Sequence, residues 1–111
     1  MSEVMADRRT AARYPLILVA EVMQVSTGAR ISARSSDASM TGCYIDTLVP
    51  MPKGTSVRVR LTRNSEVFEA IGKVAYVSAG LGMGIAFDNP VPSTQLAILE
   101  SWLMDAARSS S

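Results

Sequence analysis

The sequence predicts an all-β fold, a six-stranded antiparallel β-barrel with a C-terminal α-helix. Around six short strand-like segments follow one another with short turns between them, a pattern typical of antiparallel sheets. Closing such a sheet into a barrel removes the exposed edges that would otherwise pair with other chains. After residues 89–92 the period of the apolar residues changes to that of a helix. The whole chain, residues 1–111, is expected to form one domain with a single core.

The first two strands are predicted as a hairpin. Residues 16–25 are mostly apolar and β-branched and end at the turn signal of residues 26–29, after which residues 30–36 resume as the second strand. In a hairpin folded about the centre of that turn, opposite residues have numbers that sum to about 55. The barrel is expected to span residues 16–88 and to follow a flexible N-terminal arm, residues 1–15.

The later strands are predicted from alternation and from the positions of glycines. Between residues 57 and 61, apolar residues alternate with arginines, which indicates a half-buried strand. Residues 67–77 form a longer mixed segment in which Gly72 indicates a bulge or bend. Residues 82–87 form the last strand, which a glycine-rich turn at residues 78–81 opens.

The C-terminal segment is predicted to be an amphipathic helix over residues 93–107. Ser93 is a suitable N-cap residue directly after a proline-rich turn. The helix has one apolar stripe, formed by Leu96, Leu99, Trp102 and Leu103. We expect this stripe to pack on the barrel mouth, so that Trp102 belongs to the core and does not stack on a base.

Composition argues against several functional classes. The chain has 11 basic and 10 acidic residues and 5% aromatic residues, whereas nucleic acid binding relies on basic surfaces with exposed aromatics. It has no histidine and one cysteine, Cys43, and its carboxylates show no spacing for acid-base catalysis or a metal site. The longest apolar run, residues 14–20, is too short to span a bilayer. We therefore expect a cytoplasmic, non-enzymatic binding module without cofactor, metal or membrane insertion.

Two short motifs carry the functional signal. Arg9 and Arg13 form an RxxxR motif, and residues 37–42 read DASMTG, a DxSxxG motif. In isolation, the arginines are typical of a solvated basic terminus and DASMTG of an ordinary turn. The hairpin register, however, places Asp37 near Leu18 and Gly42 opposite Arg13. We therefore expect the two motifs to meet at one end of the sheet.

In this order, RxxxR followed by DxSxxG resembles the signature of PilZ domains, which are bacterial receptors for the dinucleotide second messenger cyclic di-GMP. The resemblance continues through residues 42–47, the turn at residues 52–55 and the glycine-rich strand at residues 82–87. It covers almost the whole chain, and no motif position is missing. The implied fold is a split barrel of the PilZ type with a C-terminal helix.

The resemblance also implies a ligand site. Carried over position by position, it assigns cyclic di-GMP binding to Arg8, Arg9, Arg13, Asp37, Ser39 and Gly42. Arg8 immediately precedes RxxxR, and family members with arginine there tend to bind two intercalated ligand molecules per domain.

The residue types suit a guanine dinucleotide. The arginine fork bonds phosphate or the O6/N7 edge of guanine, and its flat face stacks on a base. Asp37 can accept hydrogen bonds from guanine N1–H and N2–H, and the Ser39 hydroxyl can donate or accept. Gly42 would let the backbone approach the ligand closely.

The expected function is that of a cyclic di-GMP receptor whose arginine arm becomes ordered on ligand binding. The ordered surface would then signal to an unidentified protein partner in control of motility, exopolysaccharide or virulence, as the resemblance implies. The alternative is an interaction adaptor that has the same fold but does not use the nucleotide. A small-barrel binder of RNA or single-stranded DNA is the weaker third possibility, because the chain lacks a basic, aromatic-rich surface.

Overall fold

The structure is a computed structural model that describes residues 12–110. Arg8, Arg9 and the predicted arm as far as residue 11 lie outside the described residues. The strands, in chain order, are β1 Tyr14–Pro15, β2 Val19–Gln24, β3 Arg30–Ser39, β4 Gly42–Asp46, β5 Ser56–Arg63, β6 Glu66–Ser78 and β7 Gly82–Phe87. They are followed by helix α1, Ser93–Ser110.

The sheet closes into the predicted barrel. Six strands pair in the order β3, β2, β5, β6, β7, β4, and β4 returns to pair with β3. Every pairing is antiparallel. The seventh strand, β1, pairs with the C-terminal end of β3. The all-β class, the six-stranded closed barrel and the C-terminal helix are thus confirmed, with β1 as an addition.

The predicted first strand is broken, and Ser35 explains the break. Residues 16–18 lie between β1 and β2, opposite only two residues of β3. The buried Ser35 hydroxyl donates to Leu16 O at 2.5 Å and accepts from Leu18 N at 3.1 Å. One side chain therefore satisfies backbone groups that the regular ladder leaves without partners.

The predicted hairpin register is wrong by two to three residues. Val19 pairs with Arg34 and Pro15 with Asp37, so the observed pairs sum to 53 and then 52. A tight turn, in which Gln24 N donates to Ala29 O, sets the first value, and the break after β1 removes one more residue. Asp37 therefore lies opposite Pro15, and Gly42 belongs to β4.

The predicted bulge or bend at Gly72 is also corrected. Gly72 is regularly paired with Val57 and Phe87, and the irregularity in β6 falls between Val74 and Tyr76. A Cβ on Gly72 would overlap the backbone oxygen of Ala86, so this glycine permits close strand approach.

The helix has its N-cap one residue earlier than predicted and its C-terminal end three residues later. Pro92 O accepts hydrogen bonds from Gln95 N and Leu96 N, so Pro92 occupies the N-cap position that the sequence assigned to Ser93. The helix runs to Ser110, whereas the apolar stripe predicted an end at residue 107.

Helix α1 packs on one end of the barrel through the predicted stripe. Leu99 and Trp102 are fully buried, and Leu103 is nearly so. Polar contacts fix the orientation of the helix, because Trp102 Nε1 donates to Glu66 Oε1 at 2.9 Å. Arg63 at the end of β5 also pairs with Asp105 at 2.9 Å. Trp102 is therefore a core residue, as predicted.

Candidate functional site

The candidate site lies where β1, the β3–β4 turn and the end of β7 meet. Because β1 pairs with β3, Pro15 lies opposite Asp37 and the preceding Arg13 reaches the same carboxylate. Arg13 Nη2 and Nε donate to Asp37 Oδ1 at 2.6 and 2.9 Å. The two side chains remain 43% and 37% exposed. The pair is therefore accessible to a ligand from solvent.

Both hydrogen bonds end on the same carboxylate oxygen, Oδ1. Within the described part of the chain, Asp37 Oδ2 accepts no side-chain hydrogen bond, so the carboxylate keeps acceptor capacity. The Arg13 guanidinium likewise keeps donors beyond the two that it uses. An exposed pair of this kind contributes only about 0–1 kcal/mol to stability, so a ligand could rearrange it at little cost.

Beside Arg13, a shallow depression of about 120 Å³ crosses the outer face of the barrel. Its floor is made by backbone and small side chains of β4, β6 and β7, and its lining residues include Arg13, Thr41, Gly42, Tyr76, Gly84 and Ala86. This volume is below that of typical pockets for small molecules. A dinucleotide bound here would therefore extend beyond the depression and need further contacts.

Tyr76 is the residue that sequence reasoning missed. Its ring lies directly over Gly84, where a Cβ would overlap it, and 48% of the residue remains exposed. Tyr44 lies beside it, with ring centroids 6.0 Å apart. The sequence offers one signal for it, a tyrosine in the segment before a glycine-rich strand. The pairing of Tyr76 with Gly84 depends on the register shift between Val74 and Tyr76, which the sequence does not reveal. An exposed ring in this position can stack on a purine base.

Ser39 and Gly42 shape the turn that carries the site. Ser39 is fully buried, and its hydroxyl accepts from Thr41 N at 3.1 Å and lies 3.2 Å from Thr41 Oγ1. The DASMTG segment is therefore mostly strand, and its turn is confined to Met40 and Thr41. In this conformation Ser39 holds the turn, while Gly42 faces the depression.

Gly42 also has a structural role. A Cβ there would overlap the backbone oxygen of Ile85 on β7. We expect Gly42→Ala to lower the free energy of unfolding by about 1–3 kcal/mol, as for other overpacked sites. Urea denaturation followed by circular dichroism would measure this change. Unchanged stability would show that β4 and β7 separate easily, and any loss of binding would then report on ligand approach alone.

Cys43 of β4 lies beside the candidate site. It is fully buried, and burial raises the pKa of its thiol to about 12, with a small opposing effect from Arg13 and a reinforcing one from Asp37. Since the thiolate is the reactive species, we expect no alkylation of the folded protein by iodoacetamide at pH 8. Full reaction is expected in denaturant. Rapid modification of the folded protein would show that β4 opens readily.

Among residues 12–110 there is no group of three or more metal-ligating side chains. The same part of the chain has no helix with the length and hydropathy needed to cross a bilayer. The fold defines a small β-barrel domain in which the accessible Arg13–Asp37 pair borders a surface depression.

Comparisons with known proteins place this class within one family. The family model for the PilZ domain matches residues 7–105. No curated protein matches the sequence. Among solved structures, the chain is similar to the PilZ domain of CeSA from a cellulose-synthesizing bacterium, with a TM-score of 0.65 and 17% identity over 91% of this chain and 100% of that one.

A second similar structure is the Bacillus subtilis inhibitor of motility MotI/DgrA, with a TM-score of 0.73 and 17% identity. The match covers 91% of this chain and 52% of that protein. The chain therefore belongs to the PilZ domain family. This match confirms the resemblance carried by the RxxxR and DxSxxG motifs. PilZ domains are receptor and adaptor domains for cyclic di-GMP signalling.

Proposed function

We propose that this domain binds cyclic di-GMP at the end of the barrel where Arg13 meets Asp37. The carrying observation is that this accessible ion pair borders a depression floored by Gly42 and Gly84. The ligand contacts come from Arg8, Arg9, Arg13, Asp37 and Gly42, while the buried Ser39 holds the turn that follows Asp37 and precedes Gly42. We expect the domain to act in the cytoplasm. It takes two intercalated nucleotide molecules, since Arg8 precedes the RxxxR motif.

The mechanism is an exchange of partners at the Arg13–Asp37 pair. The anionic phosphates of the ligand attract the Arg13 guanidinium, which forms strong charge-assisted bonds with such groups. Asp37 is then free to accept from guanine N1–H and N2–H. Arg8 and Arg9 close over the ligand from the N-terminal side. The depression alone is small, so this arm supplies much of the contact area.

Ordering of the arm creates the output of the domain. A ligand stabilises the arrangement that it contacts best, and the new surface can recruit or release a protein partner. The similarity to CeSA and MotI/DgrA supports control of exopolysaccharide production or motility. Enzyme activity, where the pathway needs it, belongs to that partner.

Isothermal titration calorimetry with cyclic di-GMP tests the proposal directly. We expect heat at micromolar protein and a stoichiometry of two nucleotides per chain. Cyclic di-AMP is the matched control ligand. It has the same phosphates but lacks the N1–H and N2–H groups from which Asp37 would accept hydrogen bonds. Equal affinity for both would contradict the assigned role of Asp37. An absence of heat with cyclic di-GMP would favour the adaptor function.

A further inference from the structure

A second cavity, of about 410 Å³, lies on the outside of the barrel between β6 and the start of helix α1. It is lined by Arg58 of β5, residues 69–71 of β6, and Pro92, Thr94 and Gln95 around the first turn of the helix. It shares no lining residue with the depression beside the nucleotide site. Its volume falls within the range of sites for small molecules, whereas the other depression is below that range.

The cavity exists because β6 is longer than its neighbour β7. Strand β7 ends at Phe87, opposite Gly72, so residues 66–71 of β6 have a strand partner only in β5. The first turn of α1 covers part of this uncovered edge. Gln95 Oε1 accepts a hydrogen bond from Glu69 N at 2.7 Å, as the carbonyl of a neighbouring strand would. The helix thus meets the edge at one point and leaves an open space beside it.

This contact fixes the orientation of the Gln95 amide. A backbone N–H group can only donate, so the amide atom that faces Glu69 N is the oxygen. The NH₂ group of Gln95 is therefore turned away from Glu69 N, and it donates to no group within residues 12–110. Its two donors remain for a ligand in the cavity that Gln95 lines.

Arg58 supplies the charge of the cavity. It is exposed, and it forms no ion pair with any other residue of the described range 12–110. Its neighbours across the sheet are Met23 on β2 and Ile71 on β6, whose side chains offer no partner for a guanidinium. Glu69 is the acidic residue of the lining, and Arg60 holds its carboxylate at 2.7 Å. The cavity therefore presents a positive charge that no neighbouring carboxylate offsets.

We propose that this cavity binds a small carboxylate with an apolar body. The Arg58 guanidinium forms a charge-assisted pair with the carboxylate, and the Gln95 amide donates to it as well. The apolar body packs against Ile71 and Pro92, which belong to the apolar part of the lining. This chemistry occurs both in free short-chain acids and at the C-terminus of a polypeptide. The site is separate from the nucleotide site and needs no bound nucleotide.

NMR titration of the ¹⁵N-labelled full chain with N-acetyl-leucine tests the site. We expect saturable shifts of the Gln95 NH₂ and Arg58 Nε–H signals, with a dissociation constant of about 1–10 mM for a ligand of this size. N-acetyl-leucinamide is the matched control ligand, because it keeps the apolar body and lacks the charge. We expect no saturable shift with it up to about 50 mM. Equal shifts with both ligands, or none with N-acetyl-leucine, would overturn the proposal.

Three substitutions test the assigned contacts. Arg58→Gln should weaken the binding of N-acetyl-leucine about ten- to a hundredfold, because it removes a charge-assisted bond. Gln95→Glu keeps an oxygen for Glu69 N but replaces the NH₂ group by a second oxygen of a carboxylate, so it should abolish binding. Arg34→Gln is the matched control, since it removes the same charge from an exposed position on β3 outside the cavity. Retained affinity in either cavity variant, or an equal loss in the control, would show that the site is assigned wrongly.

A tetrapeptide with three alanines before a C-terminal leucine distinguishes the two sources of the carboxylate. If the ligand is the C-terminus of a partner, the preceding residues add contacts, and the peptide should bind at least about tenfold more tightly than N-acetyl-leucine. Equal or weaker binding of the peptide would identify a free small acid as the ligand. Both results support the carboxylate site, because both require binding that Arg58→Gln removes.

Discussion

Replacing both Arg9 and Arg13 by alanine is expected to abolish cyclic di-GMP binding while the barrel stays folded. Charge-assisted hydrogen bonds to a bound anion are worth about 1.5–3 kcal/mol each, so losing one from each arginine weakens binding by about a hundred- to ten-thousandfold. The Arg13 side chain is 43% exposed, and within residues 12–110 its side-chain hydrogen bonds both go to Asp37, so the folded state loses little. Calorimetry measures the affinity, and circular dichroism checks the fold.

The chain contains its own control for this variant. Arg30 and Arg34 have the same four-residue spacing but lie toward the opposite end of β3, where they pair with Glu21 and Asp46. Replacing both by alanine removes the same charge without touching the proposed site. An equal loss of affinity in the two double variants would indicate a diffuse electrostatic effect. Retained affinity after the change at Arg9 and Arg13 would show that the site is assigned wrongly.

The approach of Arg13 to Asp37 follows from the sequence even though the predicted register was wrong. The end of a hairpin brings its two strands together whatever the exact pairing, and the long arginine side chain absorbs an offset of a few residues. The exact pairing depends on the buried Ser35 hydroxyl, which replaces part of the ladder. The sequence does not show that the Ser35 hydroxyl takes this role, because it depends on a hydrogen bond to Leu16, nineteen positions away.

Other features of the site depend on contacts between distant strands. Tyr76 could not be assigned because an irregularity in β6 decides which strand position faces Gly84. Ser39 was expected to be available for a ligand, but the turn is so tight that its hydroxyl is buried against Thr41. Motifs therefore predicted the location of the candidate site, whereas orientation and burial required the paired strands.

The helix, in contrast, was predictable from its own period. Its stripe of leucines and Trp102 lies within one short segment of the sequence at helical spacing, and an amphipathic helix buries such a stripe. The polar contacts that fix its angle were not predictable. Gln95 Oε1 accepts from Glu69 N at 2.7 Å, and Trp102 reaches Glu66. Both contacts join α1 to β6, and they fix how the helix covers the barrel end.

Trp102→Ala is expected to be the most destabilising single substitution in the helix. The indole is fully buried, and truncation of a buried tryptophan to alanine costs about 3–5 kcal/mol. That is a large fraction of the 5–15 kcal/mol of a typical domain. Urea denaturation, followed by far-ultraviolet circular dichroism, gives the free energy of unfolding directly.

Trp102→Phe separates packing from hydrogen bonding. It keeps an aromatic ring but removes the N–H group that donates to Glu66. Glu66 lies at the surface, where water can replace the lost donor, so we expect a cost of only about 1–2 kcal/mol. A loss below 1 kcal/mol for Trp102→Ala would mean that α1 contributes little to the folded core.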